Sequence, residues 1–184
     1  MMGQISQASP VILTIGHSTR TLELFIRMLK AHEVTKVVDI RTVPRSRHNP
    51  QFNKETLADE LKAAGIEYVH MPGVGGLRHP RPDSPNTGWK NSSFRGFADY
   101  MQTQEFEDNL KTLINLAGQE RCALMCAEAV PWRCHRSLIA DALAIRGIRV
   151  EHIMSLSSTQ PHKLTPFASV EGLRITYPPA NAVE

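Results

Sequence analysis

The chain has 184 residues, 41% hydrophobic and 21% charged, with 21 basic against 18 acidic side chains. That length suits one domain with a real core, and the composition excludes a disordered or low-complexity chain. The small basic excess permits contact with phosphates but lacks the clustered surplus of a dedicated nucleic-acid binder.

Residues 1–10 read as a tail, with neither the basic start nor the apolar length of a secretory leader, and no later run is long enough to span a membrane. Val11 to Gly16 reads as a buried strand, and Leu22, Phe25, Ile26 and Leu29 then recur at the spacing of one helix face. Lys36 to Arg41 is a second strand. Asn53 is placed to cap the next helix, with Phe52 and Leu57 at staple positions and Gly65 at the stop. "IEYVHM" makes a third strand.

From Pro72 to Ser93 the sequence is all turn chemistry, a length that points to a lid or a mobile loop. A short helix near Phe94 to Met101 follows, then a longer one from Thr103 to Gly118. "CALMCAE" is the fourth strand, a helix starts near Cys134 and ends at Gly147, and "IRVEHIM" is the fifth strand. Residues 156–184 form a Pro-, Ser- and Thr-rich extension. Strands alternating with helices predict an α/β fold: a three-layer, Rossmann-like domain over residues 11–155 with a mainly parallel sheet of about five strands.

Polar residues collect at the carboxyl ends of those strands. His17 and Ser18 follow the first, Asp39 and Arg41 close the second, His70 the third, Cys126 and Glu128 the fourth and His152 the fifth. In an open parallel sheet the ligand crevice lies at that edge. Asp39 and Arg41 share a strand face, so the carboxylate can orient a guanidinium fork toward a phosphate, or the two can form a buried ion pair. Arg45 and Arg47 add positive charge in the loop that follows.

"CAEAVPWRCHR", Cys126 to Arg136, supports several chemistries. Cys126, Cys134 and His135, completed by His17 or His70, have zinc-ligand chemistry without zinc-site spacing. A phosphatase-type thiol needs arginine one position earlier than Arg133, and a loop with glycines. Cys134, beside His135 and two arginines at a helix start, meets conditions that lower a thiol pKa, although packing against the strand is the plainer role. An anion cradle uses the most residues: Arg133, His135 and Arg136 on a helix N-terminus, with Glu128 nearby as acid or base. Gly75 and Gly76 suit tight turning or close ligand approach. The glycine pattern lacks the dinucleotide fingerprint, which excludes nicotinamide and flavin cofactors.

The motifs "TIGHS", "DIRTVPRS", "GIEYVH", the Gly75–Gly76 pair and "LMCAEAVPWRCHR" resemble those of the family named domain of unknown function 488, from about Val11 to Met154. Val74 stands where that family usually has leucine, a change that affects packing only. The resemblance implies a cytoplasmic prokaryotic α/β protein and no known reaction; some members carry a loose DNA-repair label.

The function expected from these residues is an enzyme acting on a phosphate-bearing substrate: a nucleotide, nucleoside derivative or nucleic-acid end. His17, Glu128 and Cys134 are the candidate catalytic groups. Ser18, Asp39, Arg41, His70, Gly75, Gly76, Arg133, His135 and Arg136 are the candidate substrate-binding ones. The alternatives are a nucleic-acid-binding module and a metal-dependent hydrolase built on the Cys/His cluster. The expected partner is an anionic small molecule or nucleic acid, with no membrane. Three crowded cysteines, an odd number, fit reduced thiols in the cytoplasm.

Overall fold

The computed structural model describes residues 10–180, which leaves nearly all of the expected N-terminal tail and the last four residues of the extension outside the described residues. The elements run β1 (Val11–Gly16), α1 (Leu22–Ala31), β2 (Lys36–Asp39), α2 (Lys54–Ala63), β3 (Glu67–His70), α3 (Ser92–Tyr100), α4 (Gln104–Gln119), β4 (Cys122–Cys126), α5 (Arg136–Ala144) and β5 (Arg149–Ile153). Three short strands follow: β6 (Thr159–Pro161), β7 (Ser169–Glu171) and β8 (Arg174–Thr176). The main sheet has six strands in the order β3-β2-β4-β1-β5-β6, and only β6 runs antiparallel to its neighbour. This is the expected α/β architecture with one strand more than expected, supplied by the extension.

The order explains where a site can form. From β1 the chain crosses to β2 and β3, and β4 then returns between β2 and β1. Next, β5 pairs on the far side of β1, so the winding reverses at the centre of the sheet. A reversal of this kind opens a crevice at the strands' carboxyl ends. Strand alternation builds a core on each face. Cys122, Leu124 and Cys126 of β4 join Phe97, Phe106, Leu110 and Leu138 from α3, α4 and α5. Ala123 and Met125 face Phe25, Leu29, Leu57 and Leu61 from α1 and α2.

Local differences from the expected elements have physical causes. Asn53 stands at the N-cap of α2, but its side chain accepts no bond from that helix; its Oδ1 takes Ser46 N–H at 2.8 Å and fastens the basic loop. Thr103 does cap α4, accepting Phe106 N–H at 3.2 Å, and the helix runs past Gly118 because nothing there demands a left-handed turn. α5 starts two residues later than expected, after a single 3-10 turn at Pro131–Arg133.

The long irregular segment is tied down. Asp99 of α3 accepts Arg81 N–H, Ser84 Oγ–H and Asn86 Nδ2–H, and the fully buried Asn86 accepts Tyr177 N–H at 2.9 Å. The extension is anchored from the other side. Asp141 of α5 accepts His162 Nε2–H, Thr165 N–H and Oγ1–H, and Tyr177 O–H. Among the described residues no helix is long and apolar enough to cross a membrane.

Candidate functional site

At the carboxyl edge of β2 and β4 a cavity of about 240 Å³ is lined by Arg41, Thr42, Gly76, Leu77, Phe94, Ala127 and Glu128, with Cys126, Arg133, Cys134 and His135 completing it. Parallel register brings its parts together: Gly16 lies beside Cys126, and Asp39 beside both Met125 and His70.

Its floor is sulfur. Cys126 ends β4, Cys134 precedes α5, and the turn between them brings their Sγ atoms to 2.7 Å without a disulfide. Arg136, with no exposed surface, donates from Nη1 to Cys126 Sγ at 2.7 Å and to the Glu128 carbonyl, and from Nη2 to the Ala129 carbonyl at 2.9 Å. Its Nε–H has no partner among the described residues. Burial pushes the Cys126 thiol up, but the Cys134 S–H and the charge and hydrogen bond of Arg136 outweigh it. Cys126 therefore ends below the ordinary thiol range. Cys134 goes the other way: burial and the neighbouring Cys126 sulfur raise it, so it is the S–H donor of the pair.

Of the two roles the sequence leaves open for Cys134, activated thiol or packing against the strand, the geometry supports packing. Its helix start offers one weak contact, Arg136 N–H to Cys134 Sγ at 3.5 Å, and the guanidinium reaches past it to Cys126. The expected anion cradle at the start of α5 changes for the same reason. Arg136 is spent inside, Ser137 N–H bonds the Cys134 carbonyl, and Leu138 N–H bonds the His135 carbonyl.

His135 is spent as well. Its Nε2–H is shared between the Ile40 and Val74 carbonyls, both at 3.1 Å, which leaves Nδ1 unprotonated and 3.5 Å from Cys134 Sγ. Burial, resisted by those two carbonyls, pushes its pKa down to about 4, so the ring is neutral at physiological pH.

Arg41 and Asp39 form the buried ion pair. Nε and Nη2 grip the fully buried Asp39 carboxylate at 2.9 and 2.7 Å, and Nη2 also bonds the Phe52 carbonyl. Nη1 contacts His17 Nε2 at 3.4 Å, and the residue is among those that line the cavity. Asp39 is otherwise occupied by the Tyr68 hydroxyl, whose pKa is raised by burial and by that carboxylate. His17 is almost fully buried, stacked on Phe52 with ring centroids 4.4 Å apart, and donates from Nδ1 to the Ser18 carbonyl. Burial lowers its pKa. It contacts Arg41 from behind and is not among the residues that line the cavity. His70 likewise donates to the Arg41 carbonyl at 2.7 Å.

Ser18 holds a left-handed backbone, φ 49°, with its N–H on the Ala127 carbonyl; it shapes the turn. The two glycines are packing positions. A Cβ on Gly76 would lie 2.6 Å from His135 Nδ1, and one on Gly75 would lie 2.5 Å from Thr42 Oγ1. Val74 is fully buried, in keeping with a packing role.

Exposed charge at the cavity comes from Arg133 and Glu128. Glu128 Oε1 accepts Val130 N–H at 3.2 Å, and no hydrogen bond to a described residue engages its other carboxylate oxygen. Arg45 and Arg47 are exposed, but the cavity walls come from other residues. His152, expected at the same edge, serves another cluster: its ring bonds Thr14 Oγ1 at 2.6 Å and His162 at 3.0 Å. Among the described residues no three His, Cys, Asp or Glu side chains converge to hold a metal ion.

Sequence reasoning put Cys126 at its strand end but missed its contact with Arg136, because that arginine lies ten residues downstream and reaches the sulfur only through the turn. Gly16 provides a test of how tightly that turn is built. A Cβ there would sit 1.9 Å from the Glu128 carbonyl oxygen, so Gly16→Ala must push the turn away. The expected loss is about 1–3 kcal/mol, read from denaturant midpoints, together with slower alkylation of Cys126.

No curated protein and no solved structure matches the chain. A family model does, over residues 21–143, a span that includes the basic loop, both glycines and the whole of Cys126 to Arg136 but not Thr14–Ser18. By that match the chain belongs to the family described as Domain of unknown function DUF488.

Proposed function

We propose that this protein is a cysteine-dependent enzyme acting on a small phosphate-bearing substrate, with Cys126 as the nucleophile. The observation that carries the proposal is the Arg136 guanidinium held 2.7 Å from Cys126 Sγ at the floor of an open cavity. A buried cation on a thiol keeps it ionised, and the thiolate is the nucleophilic form. Arg41 in the cavity lining and the exposed Arg133 are the candidate donors for anionic oxygens at the wall. Glu128 at the mouth is placed to move a proton for the leaving group or for water. The cavity is smaller than the roughly 300–1,000 Å³ of typical small-molecule sites. It suits a phosphorylated group, with the rest of a nucleotide lying outside.

The test is a turnover screen of phosphorylated small molecules with reduced protein. Cys126→Ser is expected to abolish any activity found. Arg133→Ala is expected to raise KM about tenfold with little change in kcat, the cost of one exposed charge-assisted contact. Full turnover by Cys126→Ser would end this reading.

A further inference from the structure

Nothing in a nucleophile mechanism requires the second sulfur. A lone activated thiolate would do the chemistry proposed above, yet Cys134 Sγ lies 2.7 Å from Cys126 Sγ. A disulfide bond length is about 2.05 Å, so bonding needs an approach of less than an ångström. The two thiols are unlike in the way thiol–disulfide exchange uses. Arg136 Nη1 donates to Cys126 Sγ, the attacking sulfur of the proposed site, and the Cys134 S–H is held against it. His135 Nδ1 faces Cys134 Sγ at 3.5 Å with its lone pair free, because the other ring nitrogen is fixed on two carbonyls. Both cysteines are buried, 3% and 6% exposed, and the surface they keep is among the lining of the open cavity. Cys122 is excluded from the pair: it is fully buried at the opposite end of β4, about 13 Å away at about 3.3 Å per residue.

We infer that Cys126 and Cys134 form a reversible dithiol–disulfide centre, oxidised by a small anionic disulfide that the cavity admits, and that this switches the site off. In the first step the Cys126 thiolate attacks one sulfur of R–S–S–R; a Cys126–S–S–R bond forms and RS⁻ leaves. In the second, Cys134 attacks the Cys126 sulfur of that mixed disulfide. The Cys126–Cys134 bond forms, the second RS⁻ departs, and the Cys134 proton passes by way of His135 Nδ1 to the leaving thiolate. The protein loses two electrons, and the small disulfide becomes two thiols. Arg41 and Arg133 at the wall favour a carboxylate-bearing disulfide over a neutral one. The inference rests on Cys126 being the thiolate of the proposed active site, and it adds a regulator to that site.

The experiment uses the full chain, reduced and freed of reductant, then treated with glutathione disulfide or with neutral hydroxyethyl disulfide. Intact mass is expected to fall by about 2 Da, the signature of one two-electron oxidation. Trypsin cuts after Arg121, Arg133 and Arg136, which places Cys126 and Cys134 on separate peptides that only the bond would join. A Cys122→Ala variant must give the same linked pair. Glutathione disulfide should act at least fivefold faster than the neutral reagent. Cys134→Ser should stop at one glutathione adduct on Cys126, and Cys126→Ser should form neither adduct nor link.

An adduct that accumulates on Cys126 of the unmutated chain without closing would overturn the disulfide centre while leaving the nucleophile reading intact. A linked pair in a protein whose turnover survives Cys126→Ser would do the reverse. Equal rates with the two reagents would remove the anionic preference. Where turnover has been found, oxidation should reduce it at least tenfold and a dithiol should restore it; undiminished turnover by the linked form would overturn the switch.

Discussion

Acidification from pH 7 to pH 4 is expected to remove on the order of 5 kcal/mol of folding stability through buried histidines alone. Three rings contribute in the same direction. Burial lowers the pKa of His135 to about 4 and that of His152 to about 3, and it lowers His17 as well. Arginines reinforce it: Arg136 and Arg78 face His135, Arg136 faces His152, and Arg41 and Arg20 face His17, where the Ser18 carbonyl and Asp39 partly oppose them.

The sign follows from comparing the two states. In the unfolded chain each ring takes up its proton near pH 6.5; in the folded chain His17 does so at lower pH, and His135 and His152 well below that. Stability is therefore complete above pH 6.5 and is lost as pH falls toward 4. Around pH 5 unfolding takes up close to two protons at His135 and His152, a slope of roughly 2.7 kcal/mol per pH unit. Denaturant unfolding at half-unit steps measures it. His135→Gln, whose amide can still reach the Ile40 and Val74 carbonyls, should keep the fold and take away about half of the slope. Stability that stays flat between pH 6 and pH 4.5 would refute the neutral-histidine core.

The second large effect is at Arg136. Replacing it with leucine leaves the Glu128 and Ala129 carbonyls and the Cys126 sulfur without their shared donor. Breaking a buried charge pair from one side costs about 3–5 kcal/mol, a large part of the stability of a domain this size. With the guanidinium gone, the Cys134 S–H is the main group left to oppose burial at Cys126, and its alkylation rate at pH 7.5 should fall at least tenfold. Arg136→Lys separates the two roles. It restores a charge near the sulfur but offers one compact ammonium where the guanidinium bridged sulfur and two carbonyls. It should recover reactivity more than stability. A leucine variant within about 1 kcal/mol of the parent would show that packing, not this network, holds the turn.

Much of the fold was legible because it depends on periodicity. The alternation of strands and helices predicted a parallel sheet, and the positions of His17, Arg41, His70 and Cys126 after their strands pointed to the edge where the cavity lies. Helix ends were less legible. Asn53 has the right residue type for a cap, yet its side chain is drawn off to Ser46, a contact that exists only once the loop has folded back.

The site divides along the same line. The sequence by itself determined which chemistry-bearing residues reach one edge of the sheet, because strand direction and period are local properties of the chain. It could not determine their states. Whether Arg136 meets a ligand or a sulfur depends on a turn, and whether His135 is charged depends on carbonyls from β2's end and from the loop after β3. The extension was also beyond local reading, since Tyr177 finds its pocket only between Asn86 and Asp141. Burial and long-range hydrogen bonding set protonation, and those belong to tertiary structure alone.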